Sequence, residues 1–158
     1  MDVSSLLYEP VRMVLTNSQA TNQQISQNED NKAALDGLFQ TLHLIIKISF
    51  DLNCQDLAPG FEENITTIMG MLHKYLTYTN SLLATADEDE SGPLERVKTS
   101  ICEILQLFTA KYEDVIDDML QGFVNSTWML LTTTGPEPKY DIVGFVMRSI
   151  IIHLQDFL

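Results

Sequence analysis

Apolar positions along this chain recur at three- and four-residue spacing, the pattern of helices that each turn one side toward a core. The firmest run is Ile65, Ile68, Met69, Leu72, Tyr75 and Leu76, followed after a break by Leu94, Val97, Ile101, Ile104, Leu105, Phe108 and Tyr112. Between them stands Asp87-Glu88-Asp89-Glu90-Ser91-Gly92-Pro93. Like charges repel there and proline lacks an amide donor, so neither helix continues through it. Phe61 to Tyr112 therefore predicts a helical hairpin with an acidic, solvated turn.

Upstream, Pro10 is tolerated near the start of a helix, which predicts a short helix from about that residue. The Gln- and Asn-rich stretch Asn17 to Asn31 predicts a fraying polar connection that ends at a cap, Asp30 or Asn31. From Lys32 the pattern is firm: Leu35, Leu38, Phe39, Leu42, Ile45, Ile46 and Leu52 mark a helix that Asn53 to Gly60 ends. Leu44, Ile48 and Phe50 widen its stripe and predict cover on two sides. Downstream, Glu113-Asp114 supplies a cap for a third long helix through Ile116, Met119, Leu120, Phe123, Thr127, Leu130 and Leu131, with Trp128 beside the stripe. Thr134-Gly135-Pro136-Glu137-Pro138 stops it, and Ile142 to Leu158 is apolar almost all round, as a helix with neighbours on several sides would be.

Strand alternation is sustained nowhere. The helices number about six, and first members begin near Pro10, Phe61 and Asp114, a spacing of roughly 50 residues, a little above the ~40 to 47 of HEAT and armadillo units. The expectation is an all-α fold of three helix pairs, approximately 3–53, 61–112 and 114–158, stacked as a HEAT-repeat solenoid. An up-and-down bundle is the alternative.

Composition narrows the function. The 158 residues, 45% hydrophobic with a mean hydropathy of +0.02, suit one domain with a real core. The opening residues lack the basic and apolar regions of a secretory signal, and no apolar run approaches the ~18 residues of a membrane span. Cys54 and Cys102 form no CxxC pair, so neither a disulfide framework nor a zinc site is suggested. A net charge of −13 repels nucleic-acid backbones and draws basic protein segments.

No residues present themselves for catalysis or for a cofactor. His43, His73 and His153 fall on three different helices, none with a second histidine three or four residues on, and each reads as a surface or boundary residue. No glycine-rich phosphate loop or nucleophile elbow is legible, and Gly37, Gly70 and Gly122 are expected to admit closely packed neighbours. The acidic turn matches part of a calcium loop, with Asp87, Asp89, Ser91 and Gly92 at its first, third, fifth and sixth places. Its twelfth place holds Lys98 where a bidentate carboxylate is needed, so a docking site for a basic partner at Asp87, Glu88, Asp89 and Glu90 is the preferred reading and a calcium-binding helical domain the alternative. Two glycosylation sequons, Asn64-Ile65-Thr66 and Asn125-Ser126-Thr127, read as chance occurrences inside helices.

Six runs in order carry a family resemblance: Phe50-Asp51-Leu52-Asn53-Cys54-Gln55-Asp56, Phe61-Glu62-Glu63-Asn64, His73-Lys74-Tyr75-Leu76, Lys111-Tyr112-Glu113-Asp114-Val115, Thr127-Trp128-Met129-Leu130-Leu131-Thr132 and Pro138-Lys139-Tyr140-Asp141. Together they resemble the exportin-2 family of importin-alpha re-exporters, and fungal members in particular. The resemblance implies an internal part of a HEAT-repeat receptor that binds importin-alpha together with Ran-GTP in the nucleus and releases both in the cytoplasm. Ala58-Pro59-Gly60 departs from the family's wording, and Ile142 to Leu158 is expected to diverge from it altogether.

Overall fold

The computed structural model describes residues 3–54, 59–83, 92–111, 119, 121–126 and 128–129. Among them every regular element is helical: α1 (Val3–Gln27), α2 (Lys32–Cys54), α3 (Pro59–Glu63), α4 (Ile65–Leu76), a short 3-10 turn (Ser81–Leu83) and α5 (Pro93–Lys111). Residues 121–126 are helical as well. The tail from Ile142 and the acidic turn Asp87 to Glu90 lie outside the described residues.

α1 corrects two expectations, since it is one 25-residue helix that encloses both Pro10 and most of the Gln- and Asn-rich stretch. Val11, Val14, Ser18, Thr21 and Ile25 follow a three-four-three-four spacing and are all buried, none more than 8% exposed. Two places on that stripe carry small hydroxyl residues. Ser18 donates to the carbonyl of Val14 at 2.7 Å, so it enters the core without an unpaired donor. Proline removes one intrahelical hydrogen bond, and packing along the stripe outweighs the loss.

Asn31 caps α2, accepting from the amide of Ala34 through Oδ1 at 3.2 Å. The helix buries Leu35, Phe39, Leu42, Ile45, Ile46, Ser49 and Asn53. By length and composition alone it is long and apolar enough to cross a membrane, as the core helix of a soluble protein can be. Its buried line packs against α1 and α5. The expected cover on a second side is found only in part among the described residues: Phe50 packs half-buried against the core, but Leu44 is 60% and Ile48 51% exposed.

The helix expected from Phe61 divides at Asn64, whose φ of −111° and ψ of 10° place the sequon asparagine at a junction rather than inside a helix. α4 then buries Ile65, Ile68, Met69, Leu72, Tyr75 and Leu76, the six residues of its stripe. At the start of α5 the amide of Gly92 donates to the carboxylate of Glu95 at 2.5 Å, half of a capping box, with Pro93 at the first helical position.

These elements form two layers. α2 and α5 lie side by side, α1 packs on α2 and α3, and α4 packs on α5. The core fills the space between, with Phe39, Phe61, Met69, Leu72, Leu105 and Phe108 fully buried or nearly so. Phe39 meets Tyr75 edge to face, centroids 5.7 Å apart at 85°, and so ties the two layers together. A Cβ added at Gly37, Gly70 or Gly122 would meet nothing within 4 Å, so close packing does not account for these glycines.

Candidate functional site

A binding scaffold works through its surfaces and through the joints that set their shape. One joint runs between α2 and α5, where the contacts keep a constant register. His43 Nδ1 and Ser100 Oγ lie 2.7 Å apart, Lys47 donates to Glu103 at 3.0 Å, and Lys111 donates to the backbone carbonyl of Asn53 at 2.5 Å. The offsets are 57, 56 and 58 residues, so the two helices are parallel. Lys111 also places its charge at the C-terminal end of α2, where the helix dipole favours a cation. Burial pulls the His43 pKa below its usual range, aided by the charges of Lys47 and Arg96 and opposed by a backbone hydrogen bond at Arg96 and by the Glu103 carboxylate.

The second joint links α1 to α4. Asn22 Oδ1 accepts from Lys74 Nζ at 2.7 Å and from the Tyr75 hydroxyl at 2.5 Å. Burial pushes the Tyr75 pKa well above the usual phenol range, so the hydroxyl keeps its proton and remains a donor. Close by, Asn80 Nδ2 donates to the Glu29 carbonyl at 2.9 Å. The same interval recurs one unit on: His73 Nε2 and Ser126 Oγ are 2.8 Å apart at an offset of 53, equal to that between Asn22 and Tyr75, and the His73 ring stands edge-on to Phe123 at 5.0 Å. Both described histidines are thus half-buried residues at joints, as a boundary position requires; His153 lies outside the described residues.

Beside the Asn22 contact, α1 and α4 leave a cleft of about 290 Å³, with Asn22 and Lys74 on its lining. Val14, Ile46, Phe61, Ile68, Leu72 and Ile104 supply apolar lining. Leu44 and Ile48 stand one helical turn apart on the exposed side of α2.

Sequence reasoning missed Asn22, because the residues around it were assigned to a connection. A buried partner stripe at Ser18 and Thr21 was the available signal. It also missed the surroundings of Lys98, which is only 6% exposed and whose pKa burial lowers. The calcium loop fails on its described part: the ammonium at its twelfth place is buried in α5, and Glu95, at its ninth, caps that helix. Cys54 is exposed at the end of α2 and Cys102 is buried in α5, both as free thiols. Among the described residues no three His, Cys, Asp or Glu side chains gather as metal ligands would.

Comparison with known proteins gives a consistent answer. A family model described as Cse1 matches residues 2–152, so the divergence expected from Ile142 does not interrupt the match there. The Importin alpha re-exporter of Saccharomyces cerevisiae is 48% identical over 126 residues, which are 79% of this chain and 13% of that protein. The Importin-alpha re-exporter of Schizosaccharomyces pombe is 44% identical over 128 residues, 80% of this chain and 13% of the relative. Exportin-2 of Homo sapiens is 41% identical over 139 residues, 87% of this chain and 14% of the relative. A solved structure of the exportin Cse1 in its cargo-free, cytoplasmic state superposes with a TM-score of 0.77 at 45% identity, covering 88% of this chain and 15% of that one. The chain therefore spans about a seventh of the length of the relatives it matches, 13% to 14% of those named.

Proposed function

The chain belongs to the Cse1 family, a HEAT-repeat solenoid, and from that premise we propose that it forms one arc of a nuclear export receptor that binds importin-alpha together with Ran-GTP and returns importin-alpha to the cytoplasm. The work is binding, not catalysis. The observation that carries this reading is the 48% identity to a protein called an importin alpha re-exporter, combined with helices of successive units stacked in parallel. Such a stack is a solenoid joint: each helix pair touches only its neighbours, so small adjustments at each joint add up to a change in curvature. A partner that prefers one curvature selects it, and two partners that prefer the same curvature assist one another's binding. The units of this arc are the pairs 3–53, 61–112 and 114–158, with α2 and α5 on the concave side facing the partner. The turn at Asp87, Glu88, Asp89 and Glu90 meets a basic segment, and the net charge of −13 draws that segment in from a distance.

Titration of fluorescent importin-alpha with the 158-residue chain, with and without Ran-GTP, tests the proposal. Binding that weakens as salt rises and tightens when Ran-GTP is present is the expected result. Importin-alpha binding no tighter than that of an equally acidic, unrelated helical protein would refute it.

A further inference from the structure

α2 carries two stripes at one spacing. Leu35, Phe39, Leu42, Ile46 and Ser49 are buried, at intervals of four and three residues in turn. Two residues after each stand Gly37, Thr41, Leu44, Ile48 and Asp51, about 200° round the helix, and all five are exposed. The second stripe therefore points away from the core along about 21 Å of helix. Scattered exposed aliphatic residues are ordinary surface, but Leu44 and Ile48, 60% and 51% exposed, lie on the spacing of a packed seam.

Their neighbours on the stripe leave room for another molecule. A Cβ at Gly37 would meet nothing within 4 Å, so no contact inside the chain explains a glycine in a helix interior, where it is destabilising relative to alanine; close approach by a partner does explain it. Thr41 donates its hydroxyl to the Gly37 carbonyl at 3.0 Å, so its donor is already satisfied within the helix. At the far end Asp51 makes no ion pair among the described residues, whereas the charge of Lys47 is answered by Glu103 at 3.0 Å.

We infer that this outer stripe of α2 is a seat for importin-alpha: an apolar ridge of the partner lies on Leu44 and Ile48, comes close to the backbone at Gly37 and brings a basic side chain to Asp51. The inference rests on the export-receptor reading, in which α2 faces the partner. To that reading it adds the chemistry of the grip, in which acidity draws the partner in and two aliphatic side chains hold it.

Titration of fluorescent importin-alpha, in the presence of Ran-GTP, with variants of the 158-residue chain tests the seat. Leu44→Glu with Ile48→Glu is expected to weaken binding by about tenfold or more. Met13→Glu, which alters a comparably exposed apolar residue on α1, is expected to stay within about twofold of the native chain. Attraction by acidity alone would instead leave both variants binding at least as tightly as the native chain, and would overturn the seat. Gly37→Leu puts a good helix former at an open position, so the helix is kept and the expected loss of binding reports blocked approach. Asp51→Asn is expected to reduce the dependence of binding on salt. A double variant that binds as tightly as Met13→Glu would overturn the seat while leaving the export reading intact; failure of the native chain to bind would overturn the export reading, and the seat with it.

Discussion

At the scale of single residues, His43 shows how a joint can respond to acidity. Its pKa is depressed by burial, so the folded chain binds that proton less readily than the unfolded chain does. The contribution is therefore complete above the ordinary histidine value of about 6.5 and declines as pH falls through the lower, folded value. His43→Gln removes this dependence. Urea denaturation of the two proteins between neutral and mildly acidic pH is expected to show the native chain losing more of its midpoint than the variant, and parallel losses would exclude the effect. Residue chemistry also explains what was hidden from a reading of the sequence. Asn22 and Ser18 sit in a stretch dominated by polar letters, and polarity alone suggests solvent. Their hydrogen bonds remove the cost of burial, and only the three-dimensional partners reveal that.

At the scale of elements, the strongly patterned helices were legible almost residue by residue. The stripe of α4 lies entirely in the core, and Val97, Ile101, Ile104, Leu105 and Phe108 of α5 do as well. The start of α5 was not read from Gly92, Pro93 and Glu95, which were read as part of the turn although they carry the chemistry of a helix start. Replacing Glu95 with alanine leaves the Gly92 amide without its carboxylate, and a loss of about 0.3–1.5 kcal/mol is expected from chemical denaturation. A variant as stable as the native chain would mean that water serves the amide equally well. α1 was misjudged because apolar periodicity counts only apolar letters, while Ser18 and Thr21 fill stripe positions by being small. Leu44 and Ile48 were misjudged in the opposite direction, since an apolar letter does not specify what covers it.

At the scale of the whole molecule, the all-helical architecture followed from the spacing of first helices, and the family from six short runs in order. The joints did not follow, because side chains more than fifty positions apart leave no local trace of their meeting. The acidic turn makes a testable contribution at this scale. Asp87→Lys with Asp89→Lys changes the net charge from −13 to −9, each substitution removing one negative and adding one positive charge. Importin-alpha is then expected to associate more slowly and with a weaker dependence on salt, as stopped-flow mixing would register. An unaltered association rate would remove the turn from the encounter. Contacts 53 residues apart occur at two successive joints, which bears on how such rods are put together. Spacing repeats from one joint to the next but chemistry does not: an asparagine gathers a lysine and a tyrosine at the first, and a histidine meets a serine and a phenylalanine at the second. Each segment is in effect addressed to its own neighbour, so a shuffled copy would fit in length yet find the wrong hand to hold.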